Sequence, residues 1–243
     1  MSGHSKWATI KRDKAKTDAS RGNIFTKIGR EIVIAVKNGG SDPLSNPRLA
    51  TILVKARANN MPNDNIQRSI KKATGELGAV NYEEMIYEGY GPGGSAIMLD
   101  ILTDNKNRAS ADIRHIFDRA GGALAGPGSV SYLFTRKSVV VVQAPKNMTE
   151  DDITMIALEA DVDDVENDGD GLFTIYGEVS KLSKIRSASE KAGLKVESAE
   201  VEQVPNDTIA LDNNKYTTFT RMVENLEEND DVQNVYHNVE VQE

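Results

Sequence analysis

The sequence predicts an α+β multidomain protein in three parts: a three-helix N-terminal domain (residues 1–78), a middle α/β domain (79–136 with 205–243) and an inserted ferredoxin-like βαββαβ domain (137–204). Three observations carry this reading. Apolar residues recur at helical period up to Gly75, then at a period of two from Tyr82. From Ser138 to Val204 the elements run in a complete β-α-β-β-α-β order. After Pro205 the chain offers one helix and one strand, too little to bury a core alone. These two therefore complete the β-β-α-β unit left unfinished at Phe134.

In order along the chain, Ile24, Phe25, Ile28, Ile32, Ala35 and Val36 fall on one face of a first helix, which Asn38-Gly39-Gly40 ends. Val33 and Ile34 interrupt its polar side, so its second half is expected to touch more than one neighbour. Asn46-Pro47 reads as an N-cap with proline at the first helical position. Leu49, Ile52, Leu53 and Ala56 form the apolar stripe that follows. A third helix begins near Met61-Pro62, with Ile66, Ile70 and Ala73 on one side and Arg68, Lys71 and Lys72 opposite. No helix-turn-helix is read here, because no tight turn is seen ahead of base-reading Arg, Asn or Gln.

Beyond Tyr82, strands around MIYEGY and SAIMLDILTD flank Gly91-Pro92-Gly93-Gly94, and a helix runs from Asn105 to Ala120. Ser129–Phe134 reads as the next strand. In the inserted domain the expected elements are strand Val139–Val142, helix Thr149–Ala160, hairpin Val162–Asn167 with Leu172–Tyr176, helix Val179–Ala192 and strand Leu194–Val204. Helix Asn213–Glu228 and strand Val232–Val239 close the chain.

Charge is divided unevenly. The formal net charge is −8, yet residues 1–75 hold 15 Lys/Arg against 5 Asp/Glu, and residues 145–243 hold 8 against 24. One end should seek anions and the other repel them. Up to about Asp18 only Trp7, Ala8, Ile10 and Ala15 are apolar, so this stretch is built to lie on another surface, of which a polyanion is the best fit. The expected nucleic-acid contacts are His4, Lys6, Trp7, Lys11, Arg12, Lys14 and Lys16 in this arm. Arg21, Lys27 and Arg30 on the first helix join them, with Arg48 and Lys55 on the second and Arg68, Lys71 and Lys72 on the third. Acidic partners at i±4, which ordinarily interleave with such charges, are nearly absent.

Other chemistry finds little support. There are no cysteines, which removes thiolate nucleophiles, disulfides and Cys-ligated zinc and suits a reducing compartment. No apolar run approaches bilayer length and no secretory signal is seen, so a cytoplasmic location without a membrane partner is expected. Gly89-Tyr90-Gly91-Pro92-Gly93-Gly94 matches G-x-G-x-x-G, but a strand rather than a helix follows, so it is read as a hairpin loop. The acidic run from Asp161 to Asp170 lacks the bidentate Glu of a calcium loop, Ile175 standing at that place, and reads as an edge hairpin that discourages sheet association. His4, His115 and His237 sit in separate contexts with no triad. His115 shares a helical line with Arg108 and Arg119, where Asp112 and Asp118 are placed to pair with Arg108 and Arg114. No catalytic residue, metal site, cofactor or small-molecule substrate is expected.

The stretches GHSKWATIK, RGNIFTKIGREI, NPRLATILVKARANNMPNDNIQRSIKKATGE, YEEMIYEGYGPGG, LTDNKNRASADIRHIF and GSVSYLF resemble the YebC/PmpR family. The resemblance is specific from Met1 to Phe134 and looser beyond; Gly126-Pro127 stands where the family has a polar pair. It implies the same three-part fold. It also implies a non-enzymatic regulator of gene expression, bacterial members being generally labelled DNA-binding transcriptional regulators. Relatives that include a mitochondrial activator of cytochrome oxidase translation resemble ribosome-associated factors, which makes ribosomal RNA or tRNA the alternative partner.

Overall fold

The computed structural model describes residues 18–78 and 81–242, with side chains from Gly22 onward. It divides into two compact units, Lys16–Ser129 with Asn213–Val235, and Val130–Asp212 with Tyr236–Glu243.

The first unit begins with helices α1 (Asp18–Gly39), α2 (Pro47–Ala58) and α3 (Asn63–Ala73). Their shared core is the predicted stripe: Ile28, Ile32, Ala35 and Val36 of α1 pack with Leu49, Ile52 and Leu53 of α2 and with Ile66 of α3. Each such aliphatic side chain, fully buried, contributes about 1.5–3 kcal/mol. Val33 and Ile34 are buried outside that cluster, as the interruption of the polar side required. Asn46 caps α2 through Oδ1, which accepts from Leu49 N at 3.0 Å, while its Nδ2 donates to Ala35 O and Gly40 O, both at 2.8 Å. One buried amide thus ends α1 and starts α2.

A four-stranded sheet follows in the order β3-β1-β2-β8, with β1 Glu83–Tyr90, β2 Ala96–Thr103, β3 Ala123–Ala125 and β8 Val232–His237, all of it in this unit except the last two residues of β8. Helices α4 (Lys106–Arg119) and α7 (Asn213–Glu228) belong with it. β1 and β2 form an antiparallel hairpin, with Glu83 opposite Thr103 and Tyr90 opposite Ala96. The glycine string therefore closes a hairpin. Gly94 adopts φ +79° in its tip, and Gly89 leaves room for a neighbour. A Cβ at Gly89 would stand 2.5 Å from Phe117 Cε1 and 2.7 Å from the Ala123 carbonyl. Phe117 is fully buried and the carbonyl belongs to the β3 backbone, so neither can yield cheaply. Gly89→Ala should cost about 1–3 kcal/mol through overpacking, read as a lowered denaturation midpoint; an unchanged midpoint would contradict this packing.

The second unit carries the ferredoxin-like fold. Strands β4 (Phe134–Gln143), β5 (Asp164–Gly169), β6 (Leu172–Gly177) and β7 (Lys195–Pro205) form a sheet in the order β5-β6-β4-β7, with helices α5 (Glu150–Glu159) and α6 (Leu182–Lys191) in the two crossovers. Val140 and Val142 of β4, Phe173 and Ile175 of β6, Ile153 of α5 and Ile185 of α6 share its core.

Two strand expectations need correction. Ser129–Phe134 is not a separate strand. Ser131–Leu133 makes a 3-10 turn, and Phe134 begins a single ten-residue strand that pairs with β7 along its whole length, Phe134 opposite Pro205 and Gln143 opposite Lys195. The edge strand beside β1 is instead β3, three residues long and held by Glu88–Tyr90. Three residues carry no readable periodicity. Among the described residues no helix is long and apolar enough to cross a membrane.

Candidate nucleic-acid interface

His4, Lys6, Trp7, Lys11, Arg12, Lys14 and Lys16 lie outside the described residues, as does the side chain of Arg21. The remaining predicted cations fall into two groups that the sequence could not separate.

Four of them have partners within the chain. Lys27 Nζ donates to Glu227 O at 2.5 Å, and Asn23 Nδ2 donates to Glu228 O at 2.7 Å. Arg30 Nη1 donates to Leu102 O at 3.1 Å, to Asp230 O at 2.6 Å and to Asp231 Oδ1 at 2.6 Å. Its guanidinium also stands 5.5 Å from the Tyr82 ring centroid. Lys27 and Asn23 thus meet the last carbonyls of α7, where unsatisfied oxygens and the helix dipole favour positive charge. Arg48 pairs with Glu84, and Lys55 with Glu31 at 3.1 Å. The acidic partners that were missing at i±4 come instead from elsewhere in the fold.

Arg108 likewise departs from expectation. It donates to Asp104 at 2.7 Å and to Asp231 at 3.0 Å, not to Asp112. Its hydrogen bond holds the Asp104 carboxyl below the usual carboxylate range. Asp112 lies one turn on, while Asp231 at the entry to β8 is nearly fully buried and draws both Arg108 and Arg30.

The second group is Arg68, Lys71 and Lys72 of α3. Their side chains have no hydrogen bond or ion pair among the described residues, and the same holds for Arg57 in the last turn of α2, which sequence reading missed. Ser69 faces α1, where a Cβ on Gly29 would stand 3.0 Å from its Oγ. Helical spacing then turns Gln67, Arg68 and Lys71 outward, and all three are exposed.

The connection ahead of α3 also corrects the sequence reading, since it is a tight turn. α2 ends in a reversal in which Asn60 takes φ +56° and Met61 N donates to Ala56 O at 2.9 Å. Met61 is buried beside the helical core, so four residues, 59–62, separate α2 from a helix bearing Asn63, Gln67 and Arg68. Asn in the left-handed position replaced the glycine that would have signalled the turn. The α3 N-terminus has no side-chain cap.

In the acidic unit the hairpin carboxylates have local partners. Asp161 pairs with Lys181 at 2.8 Å, Asp163 pairs with Lys137 at 3.3 Å, and Asp168 accepts from Thr174 at 2.6 Å. Half-burial pushes the Glu166 carboxyl up to about 7, against the opposing hydrogen bond from the Tyr176 hydroxyl at 3.1 Å. Because this value lies above the ordinary 4.5, the folded state binds the extra proton. The stability this contributes is full below about pH 4.5 and is lost as pH rises through about 7. Glu166→Gln should remove that loss, worth about 1 kcal/mol once solvent screening of a half-exposed group is allowed for. Melting curves across the same pH range check it, and equal pH slopes in both proteins would contradict the assignment.

Residues 5–76 match the profile described as the TACO1/YebC protein N-terminal domain, and residues 82–239 match that of the TACO1/YebC second and third domain. The chain is 51% identical over 243 residues to a "Probable transcriptional regulatory protein" of Thermoanaerobacter pseudethanolicus, covering 100% of this chain and 98% of the relative. A similarly named protein of Treponema denticola is 50% identical over 243 residues, with the same coverage. The crystal structure of a conserved hypothetical protein, Aq1575 from Aquifex aeolicus, superposes with a TM-score of 0.84 at 41% identity, covering 94% of each chain. On the fold and on these matches together, the chain belongs to the TACO1/YebC family.

Proposed function

We propose that this chain is a non-enzymatic, nucleic-acid-binding regulator of gene expression, acting through the basic helical domain of residues 1–78. The observation that carries this reading is the outward stripe of α3. Gln67, Arg68 and Lys71 are exposed, no described group pairs with the two cations, and a four-residue turn joins α3 to α2. Gln and Arg are side chains that read base edges, and Lys is a phosphate contact. The relatives' printed names support a transcriptional role, and duplex DNA is the target we propose for it.

A second reading, ribosomal RNA or tRNA, is favoured by one sequence feature. Trp7, the only tryptophan, stands among the cations of the arm, and stacking on unpaired bases suits RNA.

The stripe is tested by Arg68→Ala/Lys71→Ala/Lys72→Ala. Losing the two lysine phosphate contacts on a duplex should flatten the log–log salt dependence of affinity by about 2, with the loss of Arg68 lowering affinity further. An unchanged slope on both DNA and RNA would remove α3 from the interface.

A further inference from the structure

The ferredoxin-like sheet has a face that neither of its helices covers. Val140, Val142, Phe173, Ile175 and Val165 pack toward α5 and α6, so by alternation their neighbours point the other way. On that opposite face the register places Asp164, Tyr176, Val139 and Glu200 side by side. Glu166, Thr174, Val141 and Ser198 form the next row, and Lys137 stands opposite Glu202. Asp168 joins them through its hydrogen bond from Thr174. The floor of this surface is apolar and buried, Val139 at 1% and Val141 at 0% exposure. A cavity of about 460 Å³ opens at one end of this face, lined by Lys137, Asp164, Glu166, Tyr176, Val204 and Asn206 among others. Ser198 Oγ is buried with no hydrogen-bond partner among the described residues. Among the described residues, Lys137 is the ammonium that the register places on this face, opposite Glu202, and Asp163 engages it.

A trough with an apolar floor and acidic walls fits a cationic segment that carries one large aromatic. Residues 1–16 are such a segment, with five Lys/Arg, one Asp and Trp7. We propose that this face is an intramolecular docking site for the N-terminal arm, holding it in competition with nucleic acid. The inference rests on the reading of the arm as a nucleic-acid contact and adds its regulation. The carboxylates stand in for phosphates, the docked arm is withheld, and a polyanion of higher charge density displaces it. A ligand that needs the free arm then binds with its affinity reduced by the fraction of molecules in which the arm is free.

Trp7 reports docking directly, because no other tryptophan contributes to the emission. In the full-length protein without nucleic acid, its fluorescence should be that of a shielded indole at low salt and of a free indole at high salt. Glu166→Gln/Glu200→Gln/Glu202→Gln should give the free-indole signal at every salt concentration, and should bind nucleic acid about tenfold more tightly if one molecule in ten has its arm free in the parent. Lys11→Ser/Lys14→Ser should release Trp7 equally without touching the sheet, which covers the case of a misfolded triple variant. Identical emission and acrylamide quenching in parent and variants would overturn the proposal, whatever the nucleic-acid result. Salt-dependent shielding in a protein that binds neither DNA nor RNA would support the docking and sink the reading it rests on. Shielding that disappears on dilution would assign the trough to a second copy's arm and overturn the intramolecular form.

Discussion

Asp231→Ala should be among the most destabilising single substitutions in this protein, at about 3–5 kcal/mol. The carboxylate is 4% exposed and accepts from Arg30, itself 12% exposed, at 2.6 Å and from Arg108 at 3.0 Å. Its backbone is fixed as well, since Leu102 N donates to Asp231 O and Asp231 N donates to Asn229 Oδ1, both at 2.8 Å. Removing the carboxylate leaves the Arg30 guanidinium largely desolvated with only carbonyl partners. That asymmetry, rather than the net worth of the ion pair, sets the size of the effect. Asp231→Asn keeps the shape and one acceptor and should fall between the parent and Ala. Urea denaturation followed by circular dichroism checks both variants, and a loss below about 1 kcal/mol for Ala would mean that Arg30 is solvated despite its burial.

This network also marks where sequence reading stops. The stripe of α1, the Asn46-Pro47 start of α2, the strand order of the inserted unit and α7 were all legible, because each is a local pattern of period, cap or breaker. β3 was not, being too short to show alternation, and the continuity of β4 was hidden because its first half, Thr135–Ser138, is polar while its pairing is set by β7. The interface was legible only as a count of charge. Lys27 and Arg30 read as phosphate contacts until the carbonyls of residues 227 and 230, about two hundred positions away in the chain, accept their hydrogen bonds. Nothing local distinguishes such a cation from Arg68 or Lys71. Small turns between the three helices were legible, but not the tight reversal before α3, because Asn60, not glycine, supplies the left-handed residue.

With Lys27, Arg30, Arg48 and Lys55 engaged inside the chain, the arm carries the larger share of the charge left for a ligand. Lys11→Ala/Arg12→Ala/Lys14→Ala/Lys16→Ala should therefore weaken nucleic-acid binding by orders of magnitude at low salt. Stability should change by no more than about half a kcal/mol, because the stretch has no apolar periodicity to bury. Trp7→Ala should act differently, costing about 1–3 kcal/mol on unpaired bases through lost stacking while leaving the salt slope alone.

If residues 1–78 bind a polyanion through countable cationic contacts, the salt dependence of affinity counts them. Duplex DNA and ribosomal RNA are titrated with the full-length parent and the quadruple arm variant over a range of salt. The log–log slope should be flatter in the variant by about 3–4 on a duplex, and by somewhat less on single strands. Parent and variant binding with the same slope and affinity, or the parent binding neither polymer at low salt, would contradict it.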